Sequence, residues 1–248
     1  MGSVPTLAAR PLPAMLGSMT VRALLLAGAL TALTALTGCG TASAPSPPAG
    51  VDELTIPTPS PAAADFVADI DNPWFPLVTG TTWVYAVTDA EGVHRLRVSA
   101  EPGPVVAGVA TTARVSTEPS GVVTDWFAQD EAGNVWWFGR AGSWRAGEDG
   151  AEAGVAMLAR PRIGDGYRMG YEPGVVEDVA RVESLDETAE VAAGSFEDLL
   201  LVEQHSALEP GATSELSYAR GTGLVEARLV SGSYRTLRLV DGPTAPAA

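Results

Sequence analysis

The stretch Thr81-Thr82-Trp83-Val84-Tyr85-Ala86-Val87-Thr88, joined through Asp89-Ala90-Glu91-Gly92 to Val93-His94-Arg95-Leu96-Arg97-Val98-Ser99-Ala100, decides the fold. Side chains along a strand alternate between its two faces. In the first run Trp83, Tyr85 and Val87 share a face; in the second Leu96 and Val98 do, with Arg95 and Arg97 opposite. Ala90-Glu91-Gly92 supplies the turn between them, so the two runs read as a hairpin.

The same period continues downstream. Residues 122–128 and 134–138 make a second pair around the turn Asp130-Glu131-Ala132-Gly133. Further runs cover 175–184, 196–205, 216–219, 224–230 and 234–240. Pro173-Gly174, Gly194, Pro210-Gly211, Gly221 with Gly223, and Gly232 precede or separate them. About nine or ten short strands with few helical stretches predict a mainly β fold: an antiparallel sheet folded as a sandwich or partly closed barrel. At most a short helix is expected, over 62–70, and no internal repeat is present.

Composition narrows the chemistry. The 248 residues are 46% hydrophobic and 18% charged, which is globular. All 15 cationic side chains are Arg, so lysine-based chemistry is excluded: no P-loop lysine, no Schiff base, no lysine general base. One cysteine excludes an internal disulfide framework and a Cys-clustered zinc site. A net charge of −15 argues against a nucleic-acid partner, whose phosphates are bound through cations.

The front of the chain carries an address. Met19-Thr20-Val21-Arg22 is a positive leader, with the stretch before Met19 either extending it or preceding the true start. Residues 23–36 contain only Ala, Leu, Gly and Thr. This apolar run suits a signal peptide and is shorter than the roughly 20 residues a transmembrane helix needs. Leu36-Thr37-Gly38-Cys39, with Gly40 next, resembles the lipobox of bacterial lipoproteins. The resemblance implies that Cys39 is thioether-linked to diacylglycerol and becomes the mature N-terminus; an ordinary secretory signal with a chance cysteine is the alternative. Losing residues 1–38 removes Arg10 and Arg22 and no acid, so the net charge of −15 becomes two units more negative. Such a surface is repelled by anionic headgroups, and only the lipid would hold it to a membrane. The expected organisation is a signal peptide at 1–38, the lipidated N-terminus and a Pro/Ala/Ser/Thr-rich linker at 39–64, a β-rich domain at 65–241, and a disordered tail at 242–248.

The most distinctive block is Asp71-Asn72-Pro73-Trp74-Phe75-Pro76-Leu77, followed by Gly80 and Trp83-Val84-Tyr85. Asn-Pro starts a turn, and the two prolines pin an extended segment presenting Trp74 and Phe75. Together with Asp125-Trp126-Phe127-Ala128-Gln129-Asp130, Gly142-Ser143-Trp144 and Gly221-Thr222-Gly223-Leu224-Val225, it resembles a family of uncharacterised bacterial lipoproteins common in actinobacteria. The resemblance spans roughly 70–240 and implies no activity, substrate or catalytic residue. Core packing is one reading of the aromatics; an apolar ligand groove formed by Trp74, Phe75, Trp83 and Trp126 is the other.

The remaining signals are weak. Asp130-Glu131-Ala132-Gly133-Asn134-Val135-Trp136 resembles the hairpin turn of a propeller blade but occurs once; as a calcium site it lacks the spaced ligands of an EF-hand. Glu148-Asp149-Gly150-Ala151-Glu152 reads as a solvated loop. His94 shares the Leu96 and Val98 face, and His205 ends an apolar strand; both read as structural. Gly164-x-Gly166-x-x-x-Gly170 has the wrong spacing for a dinucleotide fingerprint. No catalytic residue, metal ligand or cofactor is therefore assigned. The expected function is non-catalytic binding of an apolar ligand or an envelope protein by a lipoprotein on the extracytoplasmic face of the cell membrane. An envelope hydrolase using paired carboxylates is the alternative, and an assembly factor using exposed sheet edges ranks third.

Overall fold

The computed structural model describes residues 61–231 and 234–244. The signal peptide, Cys39, most of the linker and the Gly232 turn lie outside them. Within them the alternation read from the sequence becomes burial: Trp83, Tyr85 and Val87, and across from them Leu96 and Val98, face a common interior.

The chain forms β1 (Phe66–Val67), β2 (Thr82–Asp89), β3 (Gly92–Val106), β4 (Val109–Glu118), β5 (Gly121–Asp130), β6 (Val135–Arg140) and β7 (Trp144–Arg145). It continues through β8 (Glu152–Met157), β9 (Gly166–Glu172), β10 (Val176–Val191), β11 (Gly194–Ser206), β12 (Thr213–Ala219), β13 (Gly223–Leu229) and β14 (Arg235–Thr244). Neighbours pair in the order β5-β4-β3-β2-β14-β13-β12-β11-β10-β9-β8-β6, and β5 pairs with β6, which closes a 12-strand antiparallel barrel. The short β1 and β7 add to β5 and β6 from outside the ring. First and last long strands meet at the seam, with Tyr85 opposite Leu239 and Val87 opposite Leu237. Val87, Leu199, Leu200, Val225 and Leu239 are fully buried. At about 25 cal/mol per Å² of apolar surface, such side chains contribute roughly 1.5–3 kcal/mol each.

Closure matters for edges. An open sheet presents unpaired N–H and C=O groups that invite strand addition, and a closed ring removes them. An assembly role through long exposed edges therefore has no long edge to use among the described residues.

Residues 70–80 cross one end of the barrel. Asn72 is the organising residue and is 2% exposed. Its Oδ1 accepts the N–H groups of Trp74 and Phe75, forming the turn that Asn-Pro announces. Its Nδ2 donates to the carbonyls of Gly133 and Leu158, and Gly221 N–H donates to Pro73 O. The β5–β6 and β12–β13 turns and the end of β8 are thereby tied to one strap.

Several local expectations are corrected. The expected helix over 62–70 is a 3-10 turn at Ala63–Asp65 only, because Phe66 is already extended (φ −96°, ψ 139°) and pairs with Asp130. Strands β4, β8 and β9 carry no simple apolar alternation. On β4 the interior face bears Thr112, Arg114, Ser116 and Glu118, so polar residues point inward there. On β8 and β9, Gly154 and Gly170 stand where a side chain would collide with Met169 backbone and with the Trp144 ring. The last strand runs to Thr244, past position 241.

Candidate functional site

An apolar cavity of ≈ 230 Å³ lies inside the barrel. Phe75 and Pro76 of the strap form its floor. Trp83 and Tyr85 on β2, Leu96 and Val98 on β3, and Leu216 and Tyr218 on β12 form its walls. The aromatic walls are fixed by hydrogen bonds: Trp83 Nε1 donates to Thr222 O at 2.9 Å and Tyr85 Oη to Leu224 O at 3.0 Å. Burial pushes the Tyr85 phenol far above its ordinary range and that of Tyr218 up to about 12, while the charge of Arg114 draws both partly back. Both hydroxyls are thus neutral donors at physiological pH.

Arg114 is the charged residue in this lining. Its guanidinium lies 5.0 Å from the centre of the Phe127 ring and 5.8 Å from that of Phe75, within cation–π range. Register explains its partner. Arg114 faces Asp125 on β5, and Asp125 faces Arg140 on β6, so the three side chains lie in one row across three strands. Asp125, 1% exposed, accepts Arg114 Nη2 at 3.1 Å on Oδ2 and Arg140 Nε at 2.8 Å on Oδ1. A buried carboxylate is tolerated when it is paired in this way.

A second polar group lines the lumen where the β2–β3 and β4–β5 turns meet. Arg235 bridges Asp89 (3.0 Å) and Glu118 (2.8 Å), and His94 Nε2 lies 3.1 Å from Glu118 Oε2. Burial raises the Glu118 pKa, but hydrogen bonds from Arg235, His94 and Ser120 outweigh it and leave Glu118 below its ordinary value. A third recess holds Asp178, Gln204, Trp137 and Trp144. Burial pushes the Asp178 carboxyl up, against hydrogen bonds from Ser206 and Gln204.

The four aromatics singled out in the sequence are separated. Phe75 and Trp83 line the cavity. Trp74 is buried in the strap beneath Arg220, whose guanidinium is 4.1 Å from its ring centre. Trp126 points to the opposite face of β5 from Phe127, under Arg145 at 5.5 Å. Sequence reading missed Tyr85, Tyr218 and Arg114 as lining groups; only the inward phase of Tyr85 was visible.

Other motifs take structural places. Asp130 accepts Asn134 N–H, Asn134 Nδ2 and Trp136 Nε1 at 2.8–3.0 Å, so its oxygens hold the hairpin turn together. His205 contacts Glu203 of its own strand at 2.7 Å and the hydroxyl of its cross-strand neighbour Thr213 at 3.2 Å, not a serine. Among the described residues no three of His, Cys, Asp and Glu are grouped to hold a metal ion.

No protein-family model matches the sequence, and no curated protein matches it either. Two solved structures are similar in part. A Bacteroides fragilis protein described as exported, with a YmcC-like fold, aligns at 14% identity and a TM-score of 0.38, over 67% of this chain and 97% of that one. A Parabacteroides distasonis protein described as a lipoprotein aligns at 13% identity and a TM-score of 0.32, over 68% of this chain and 98% of that one.

Proposed function

We propose that this chain is an extracytoplasmic lipoprotein, held to the membrane by acyl chains on Cys39, whose barrel binds a small apolar molecule. The cavity carries the binding reading. Its ≈ 230 Å³ exceeds the roughly 150 Å³ that suffices for benzene and falls below the roughly 300 Å³ at which drug-sized pockets begin. Its aromatic walls are preformed, which lowers the cost of ordering on binding. The anchor reading rests on Leu36-Thr37-Gly38-Cys39 behind the apolar run 23–36, and on the resemblance to actinobacterial lipoproteins. The hydrolase alternative has less support, since the half-buried Asp178 carboxyl is hydrogen-bonded by Gln204 and Ser206, and the acid near it, Glu209, acts on it only through its charge.

Two measurements test this. Intact mass spectrometry of membrane-extracted protein should find a diacylglyceryl adduct on Cys39, and Cys39→Ala should leave the membrane fraction. For the cavity, 1-octanol should raise the melting temperature of the full chain in lipid nanodiscs, by the linkage that gives about 2.7 kcal/mol at a hundredfold excess over Kd. Ala227→Leu, which fills part of the cavity, should abolish the rise. No rise, or an equal rise in the filled variant, overturns the binding reading.

A further inference from the structure

We infer that the occupant of the cavity is a medium-chain carboxylic acid whose carboxylate sits on Arg114; this rests on the apolar-binding reading above. The size of the occupant follows from the volume. Scaled from benzene, six carbons in about 150 Å³, a cavity of ≈ 230 Å³ takes about nine or ten non-hydrogen atoms, the size of an eight-carbon acid. A two-chain lipid is several times too large.

The head group follows from Arg114. A guanidinium has five N–H donors in a planar fork. Among the described residues its one hydrogen bond runs from Nη2 to Asp125, and its Nε is buried with no partner. About a third of the side chain (31%) is exposed, and since Arg114 shares the inward face with Asp125, that area opens into the lumen. Asp125 does not absorb the charge of Arg114, because Arg140 binds the same carboxylate through Nε at 2.8 Å and Nη2 at 3.4 Å.

An apolar wall with under-used guanidinium donors at one point matches a ligand with one anionic end. Charge-assisted hydrogen bonds to a guanidinium are about twice as strong as neutral ones, and stronger still where water is excluded. Both tyrosines facing Arg114 are held neutral, so neither phenol repels a carboxylate, and the anion nearest the guanidinium, Asp125, is shared with Arg140.

Octanoate, 1-octanol and octylammonium share the same body and differ at the head. Calorimetry at pH 7 on the full chain in lipid nanodiscs, blanked against empty nanodiscs, should rank octanoate first, about tenfold tighter than octanol, with octylammonium weakest. The carboxyl resonance of ¹³C-labelled octanoate should shift on binding. Arg114→Lys keeps the charge but loses the fork, and should reduce the preference for acid over alcohol; Arg114→Met should abolish it. Octanol binding as tightly as octanoate, or an acid preference that survives Arg114→Met, overturns the assignment to Arg114 while leaving apolar binding standing. Binding of none of the three overturns both. The ranking on the unaltered chain decides the matter even where a variant fails to fold.

Discussion

The Gln129 side-chain oxygen accepts the backbone N–H of Asn72 at 2.8 Å, joining residues 57 apart in sequence. The same oxygen takes the N–H of Asp71 at 3.0 Å, and Gln129 Nε2 returns a bond to the Asp71 carboxylate at 2.6 Å. One amide on β5 thus fixes the register of the strap, and through it the height of the Phe75 floor.

Asn72 is the other half of that clasp. Asn72→Ala removes four side-chain hydrogen bonds and strands the buried N–H of Trp74. With net values near 1 kcal/mol per bond and partial rescue by water, a loss of about 2–4 kcal/mol is expected in urea denaturation. Amide exchange should quicken first at Trp74 and Phe75. A loss under about 1 kcal/mol would contradict the organising role.

Asp125→Asn leaves two guanidiniums facing a neutral amide in the wall of the barrel. The guanidiniums left behind are 31% and 42% exposed, so water offsets part of the penalty for breaking a buried pair; a loss of about 1–3 kcal/mol is expected, with the urea midpoint lowered and the slope unchanged.

The two shifted carboxyls act with opposite signs in acid. Glu118 has a folded-state pKa below its ordinary value, so its contribution is present above pH 4.5 and is lost as pH falls. Glu118→Gln should flatten the acid limb of the stability profile. Asp178 is raised above 3.8, so the fold loses stability as pH rises through that shifted value. Asp178→Asn should therefore be neutral in acid and stabilising at pH 7. Equal profiles for the two variants would refute the assignment.

At the alkaline end the interior phenols decide. Tyr85, Tyr167 and Tyr218 are all pushed up by burial from 10.0, so the stability they represent is full below pH 10 and is lost as pH rises beyond it. Their absorbance change should appear together with loss of the far-ultraviolet strand signal. Ionisation of all three in an intact barrel would be inconsistent with their burial.

What the sequence disclosed follows from where water stands. β2 and the first half of β3 have lipophilic interior faces and polar exteriors, and their alternation is plain in Trp83, Tyr85, Leu96 and Arg97. β4 turns Arg114, Ser116 and Glu118 inward, so its pattern looks like a polar loop. Gly154 reads as a strand breaker, yet it is there because a Cβ would stand 2.4 Å from Arg168 O of the neighbouring strand. The site was half visible for the same reason. Aromatic residues announce themselves, but Arg114 and its partner Asp125, 11 residues away, meet only through cross-strand register.

The seam between β2 and β14 sets the order in which a newly made chain reaches its final state. Thr82 pairs with Thr244 and Tyr85 with Leu239, so the ring waits for β14 to be synthesised. A chain emerging N-terminus first carries one unpaired margin of β2 through the whole of its production, and long-range pairings of this kind form slowly. A product cut short before residue 235 never closes, and it keeps two sticky margins instead of none. Loss of β14, Arg235–Thr244, should therefore be read by proteases and by neighbouring copies as loss of the whole domain.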